Sequence, residues 1–254
     1  MIILALDTTS AGGSLALASD GDLMDESTGN PNLTHGEQLP GELQLLLDRN
    51  GLTSGTIDRY AVAAGPGSFT GLRVGIATIQ GLALVHNRRV VPISVLDALV
   101  EAAKKLAVDS KSGPEIIVPF MDAKRGEVFS NVYAPSRNEK SSNLVTQGGN
   151  EWTAISEPVA MAPKEFIEIW AETLAGQRVL VIGDGVQSYG SLLTGQLGAG
   201  SSVFAETPPL AGVISVMASV VPWCYRGVRP HQIRPLYVRR PDAEISRDKR
   251  RHRM

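Results

Sequence analysis

"IILALDTTSAGGSLALA", residues 2–18, places an apolar run against Asp7, then a glycine-bearing turn, then a second apolar run. Residues 2–6 and 14–18 read as strands, because short apolar runs bounded by Thr, Ser and Gly have strand length and turn punctuation. The same order returns in "EIIVPFMDAKRGEVFSNVYA", residues 115–134, where Asp122 closes the apolar run and Gly126 marks the turn. Two stretches with one grammar suggest a fold built twice. Two unrelated hairpins that converged on it are the alternative.

Between these stretches lies an alternation of helix and strand. In residues 35–50, Leu39, Leu43, Leu46 and Leu47 recur on one helical face, and Gly51 follows as a stop. "DRYAVAAG" reads as a buried strand, residues 72–86 as a helix, "RRVVPIS" as a strand and residues 95–107 as a helix. "DSKSGP", residues 109–114, is polar and ends in proline, as a boundary between units would. The expected division is 1–110 and 111–240, each an α/β unit, with a basic, disordered tail over 241–254. Within the second unit "RVLVIGDG" reads as a strand and turn, and "AGVISVMASVVPWCYRG" as a late apolar helix.

Bulk properties narrow the function. The 24 Lys and Arg residues against 26 Asp and Glu leave a net charge of -2, which argues against a strongly basic nucleic-acid binder. The lone Cys224 excludes an intramolecular disulfide framework and fits a reducing compartment. No basic region precedes the first apolar run, and the longest later one, residues 74–85, is broken by Thr78 and Gln80 and falls short of the ~20 residues of a membrane span. A cytoplasmic location is expected.

The loop "GPGSFTG", residues 65–71, invites a nucleotide reading that its spacing does not support. Gly65, Gly67 and Gly71 miss the dinucleotide fingerprint by one residue, no P-loop lysine follows, and Ser68 lacks the flanking glycines of a nucleophile elbow. A tight turn feeding a helix remains, with Ser68 or Thr70 as N-cap. Amides near Gly67, Ser68, Thr70 and Gly71 could meet an anion, and Asp7 could hold a metal-bound phosphate or simply cap its turn. The following helix is apolar nearly all round, so it is buried on several sides of its own domain or meets a partner. His35 has Leu39 where a second zinc ligand would stand, and His86, His231 and His252 are scattered. No metal site is expected.

Together "LALDTTS", "GPGSFTGLRVGIATIQGLAL", "PISVLDAL", "DAKRGEVF" and "PLYVRR" resemble the TsaB (YeaZ) family over residues 2–240. The resemblance implies an actin-like, Hsp70-like ATPase (ASKHA) fold of two duplicated α/β domains with mixed sheets. It also implies a non-catalytic subunit of the machinery that places threonylcarbamoyl on N6 of adenosine 37 in tRNA. In the catalytic paralogue, TsaD, an H-x-x-x-H motif binds metal; on this chain its positions are Val95 and Leu99, which offer no ligand atom. The implied partners are TsaD, the P-loop ATPase subunit TsaE, a second copy of the chain when alone, and tRNA only through the complex. The implied partner surface lies on the helices of residues 35–50 and 72–86, at His35, Leu39, Leu43, Leu46, Gly75, Ile79 and Leu82. No cofactor is expected of the chain itself, beyond weak ATP or ADP binding at a complex interface. A nucleotide-binding, small-molecule kinase of the same fold is the alternative.

Overall fold

A computed structural model describes residues 1–107, 113–136, 152–193, 196–220 and 223–239. The expected linker falls largely outside these residues, and the basic tail over 241–254 entirely so.

Two sheets carry the chain. In the first, β1 (Ile2–Asp7) lies antiparallel to β2 (Ser14–Ser19), which pairs with β3 (Asp22–Thr28). On its other side β1 runs parallel to β4 (Arg59–Gly65), and β4 to β5 (Val90–Ser94), giving the order β3-β2-β1-β4-β5. In the second, β6 (Ile116–Lys124) is antiparallel to β7 (Glu127–Ser130), with β8 (Tyr133–Pro135) and β9 (Trp152–Ala154) forming a side branch. β10 (Val159–Met161) flanks β7, while β11 (Val179–Ile182) and β12 (Ser202–Phe204) follow β6 in parallel. The order β10-β7-β6-β11-β12 therefore repeats that of the first sheet, position by position and direction by direction. The fold is duplicated, as the paired hairpin segments predict. It is the actin-like α/β architecture with two mixed sheets.

Strand alternation sorts the core into layers. Leu4, Leu6, Leu15, Leu17, Tyr60 and Val62 face one way, beneath α1 (His35–Arg49) and α2 (Phe69–Val85). Ile3, Ala5, Ala61, Ala63, Val91 and Ile93 face the other, against α3 (Val95–Ala107). Ile117, Met121, Leu180 and Ile182 of the second sheet join this same cluster, so the two lobes share one continuous apolar core. Beyond the second sheet, Val118, Phe120, Val179 and Val181 pack on α4 (Pro163–Leu174) and α5 (Gly185–Leu193). Sheets covered on both faces explain why the strands read as unbroken apolar runs.

One element goes elsewhere than the sequence division placed it. α6 (Leu210–Met217), grouped with residues 111–240, packs across β1, β2, β3 and β4. Its N-cap is Pro209, which has no capping side chain. The first sheet supplies the missing acceptors: the Ala211 N–H donates to Ser14 Oγ at 3.1 Å and the Gly212 N–H to Glu26 Oε1 at 2.6 Å.

Candidate functional site

The turn between β1 and β2 is the anchor of the region. Asp7 is buried; its Oδ1 accepts from the Thr9 N–H at 2.8 Å and the Thr9 hydroxyl at 2.6 Å. Burial pushes its carboxyl above the ordinary range, and the Thr9 bonds pull the other way. The second lobe repeats the device, since Asp122 Oδ1 accepts from the Lys124 N–H at 2.7 Å while Asp184 Oδ1 accepts from the Asp122 N–H at 2.9 Å. Of the two roles open to Asp7, closing its turn is the one its contacts describe.

The glycine loop is built around that turn. Ser68 donates its N–H to Thr9 O at 3.0 Å and caps α2 by accepting from the Gly71 N–H at 3.2 Å, so the helix begins at Phe69, three residues before the expected start. A Cβ on Gly71 would sit 1.9 Å from Thr8 O, one on Gly75 2.2 Å from Thr8 Oγ1, and one on Gly67 2.5 Å from Thr9 Cβ. These glycines exist so that α2 can lie directly on the β1–β2 turn. The Thr8 hydroxyl completes the contact by donating to Gly71 O at 2.7 Å. With the Ser68 amide and hydroxyl so engaged, the loop fits its packing role better than a phosphate-binding one. Thr70 is exposed at the mouth of the cleft described next.

Between the lobes lies a cleft of about 920 Å³, lined by the β1–β2 turn, the start of α2, the β6–β7 turn and residues 236–239. Its cations are Arg73, Lys124, Arg125 and Arg239, and its carboxylates Asp122 and Asp184. Lys124 pairs with Asp122 at 2.9 Å and Arg239 with Glu127 at 2.7 Å. Asp122 accordingly raises the Lys124 ammonium above its usual value.

The residues expected to meet a partner divide sharply. Leu39, Leu46 and Ile79 are 5%, 0% and 0% exposed within the core under the first sheet, and Gly75 presses on Thr8. They cannot form a surface. Leu43 and Leu82 are half-buried against that core. His35 packs its ring over the β1–β2 turn, so that a Cβ on Gly13 would lie 3.1 Å from His35 Cε1. The outward face belongs to other residues: Leu45 (66%), Leu84 (60%) and Val85 (78%), with Ala77 and Gly81 also exposed. Ala77, Gly81 and Leu84 recur at helical spacing opposite Ile76, Ile79 and Ala83. The error is one of rotation. The excess of apolar residues on α2 signalled two faces, but periodicity alone did not say which one the sheet takes. The moiety positions expected for metal ligands in the catalytic paralogue, Val95 and Leu99, are both 0% exposed in the interlobe core.

Sequence reasoning also missed the run after Val228. It returns to the first lobe through paired bonds between Val228 and Val90 at 2.8 and 3.0 Å, then crosses the cleft mouth. Residues 233–239 form neither strand nor helix, so no periodicity announced their course.

Comparison with known proteins gives a consistent answer. The family model described as "TsaD: tRNA N6-adenosine threonylcarbamoyltransferase" matches residues 31–144. The chain is 30% identical over 192 residues to the "tRNA threonylcarbamoyladenosine biosynthesis protein TsaB" of Escherichia coli K12, covering 76% of this chain and 75% of that one. It is 36% identical over 132 residues to the protein of the same name from Haemophilus influenzae, covering 51% and 52%. The solved structure "YeaZ from Pseudomonas aeruginosa" superposes with a TM-score of 0.71 at 25% identity, over 93% of this chain and 99% of that one. Sequence, coverage and fold agree, and the chain belongs to the TsaB family.

Proposed function

We propose that this protein is a non-catalytic subunit in tRNA threonylcarbamoyladenosine biosynthesis and acts by pairing with a TsaD-type catalytic paralogue. The carrying observation is the set of exposed apolar residues on the two helices, Leu45 on α1 and Ala77, Gly81, Leu84 and Val85 along one side of α2. Large apolar side chains at 60–78% exposure are costly in water and recover that cost when a partner removes them from it, at ~25 cal/mol per Å² before association costs. Exposed Gly81, with no atom within 4 Å of its Cβ position, lets a partner helix approach closely. Support for the non-catalytic part comes from Val95 and Leu99, buried side chains without donor atoms where the paralogue carries histidines. TsaE would join the pair, tRNA would be met through the complex, and a second copy of the chain would occupy the face when TsaD is absent. The setting is the cytoplasm; among the described residues no helix is long and apolar enough to cross a membrane. Co-expression with the paralogue and a reconstituted tRNA modification assay test the reading. Activity of either chain alone equal to that of the pair would overturn it.

A second reading, a small-molecule kinase or other nucleotide binder, draws on the interlobe cleft and its four cations. Two of these are already held by Asp122 and Glu127, which weakens that reading. Calorimetric titration of the purified chain with ATP separates the two.

A further inference from the structure

The segment crossing the cleft mouth belongs mostly to the first lobe. Gln80 Nε2 donates to Pro230 O at 2.8 Å, Ile233 is buried in the core beneath α2, and the Leu236 N–H donates to Ala64 O at 2.6 Å. Tyr237 then stacks on Phe69 at 5.2 Å between centroids, while the Arg73 guanidinium lies 3.9 Å over the same ring and donates through Nε to the Tyr237 hydroxyl at 3.2 Å. Two residues later the chain changes lobes. Arg239 donates through one terminal nitrogen to Glu127 Oε2 at 2.7 Å and through the other to Ala123 O at 2.7 Å, at the β6–β7 turn.

A second polar tie joins the lobes elsewhere. The Tyr133 hydroxyl on β8 donates to Asp97 Oδ1 on α3 at 2.7 Å. Tyr133 pairs with Ile117 near the start of β6, whereas Ala123 lies near its end, so the two ties are ~20 Å apart along the strand at ~3.3 Å per residue. A body held at one end can rock; one held at both ends of its central strand cannot. We propose that residues 236–239 form a clamp that fixes the opening of the interlobe cleft, with Arg239 as its attachment to the second lobe. Releasing Arg239 removes the polar tie at that end and leaves only the apolar packing of Met121, Ala123 and Phe129 against the first lobe, across which the second lobe can shift about α3, α6 and the Asp97–Tyr133 tie, a hinge motion of the kind that opens clefts between lobes. The clamp needs no partner to act.

The test is a distance measurement on the full chain. With Cys224→Ser as background, spin labels at exposed Gln44 on α1 and Glu172 on α4 report the separation of the lobes. Arg239→Ala should lengthen the mean distance and broaden its distribution. Glu127→Gln, which leaves the Ala123 bond in place, should do so by less. Arg234→Ala removes a charge whose bonds stay within the segment, at His231 O and Ile233 O, and should match the parent. A parent-like distribution for Arg239→Ala overturns the clamp. If that variant fails to fold, Glu127→Gln decides alone, and a distribution superposable on the parent's is then the overturning result.

Discussion

Asp7 and Asp122 hold the same station in the two lobes, each on the central strand of its sheet and each accepting the N–H two residues on, at 2.8 and 2.7 Å. A carboxylate that closes a turn in both halves is a structural group first. Asp7→Ala leaves a buried N–H and a buried hydroxyl of Thr9 without their acceptor, and should cost ~1–3 kcal/mol of stability. The midpoint of urea unfolding measures it. Asp122, with its side chain 14% exposed, should lose less on the same substitution. Equal unfolding midpoints for Asp7→Ala and the parent would show that the turn closes without the carboxylate.

The glycines of α2 separate packing from partner contact. Gly75→Ala drives a Cβ to 2.2 Å from Thr8 Oγ1, so either the helix or the turn must move; a loss of ~1–3 kcal/mol is expected. Gly81→Ala meets nothing and exchanges glycine for the best helix former, so the isolated chain should gain up to ~1 kcal/mol. Thermal unfolding of both variants gives opposite signs if the two glycines have these roles.

Leu84→Asp and Val85→Asp place charges on side chains already 60% and 78% exposed, and should leave the fold intact while abolishing co-purification with the catalytic paralogue. Leu46→Asp and Ile79→Asp, at 0% exposure, should instead destroy the fold itself. Circular dichroism and pull-down, run together, distinguish the outcomes. Normal pairing by the Leu84 and Val85 variants would move the partner surface off this face.

Asp97 supplies a pH signature. Burial raises its carboxyl above 3.8, more than the Tyr133 bond and the Arg226 charge lower it, and Glu101 adds to the rise. The folded state therefore holds the proton more tightly than the unfolded one. Stability from this group is fully present below pH 3.8 and is lost as pH rises through the folded value. Asp97→Asn can still accept from Tyr133 but has no charge to bury. The stability of the variant minus that of the parent should be flat below pH 3.8, climb with pH, and level off above the folded value. Denaturant unfolding at a series of pH values measures this difference, and a flat difference throughout would show that the charge carries no penalty.

Local patterns carried the fold, and tertiary relations carried what was missed. The paired hairpins at residues 2–18 and 115–134 announced the duplication because each is a contiguous stretch with its own turn chemistry. The span of α3, Val95–Ala107, matches its expected bounds, since its apolar face is continuous. Leu39, Leu46 and Ile79 were misplaced because a helix apolar on two sides gives no indication of which side meets the sheet. The role of Gly75 was invisible for a different reason: it depends on Thr8, which is distant in sequence and adjacent only once α2 has docked. Arg239 and Tyr237 likewise acquire meaning from Glu127 and Phe69, which lie more than a hundred residues upstream.

The borrowed capping of α6 bears on how the chain is made. A ribosome delivers β1 to β5 first, yet the face of that sheet which α6 covers stays open until Met217 has emerged. Ser14 and Glu26 wait meanwhile for amides that lie nearly two hundred residues downstream. The first-made half therefore cannot mature on its own during synthesis, and domain-by-domain folding, the usual course for a chain of two units, is closed to it. Its completion is a late event, and the nascent protein must keep an unfinished sheet from other chains while residues 95–217 are made.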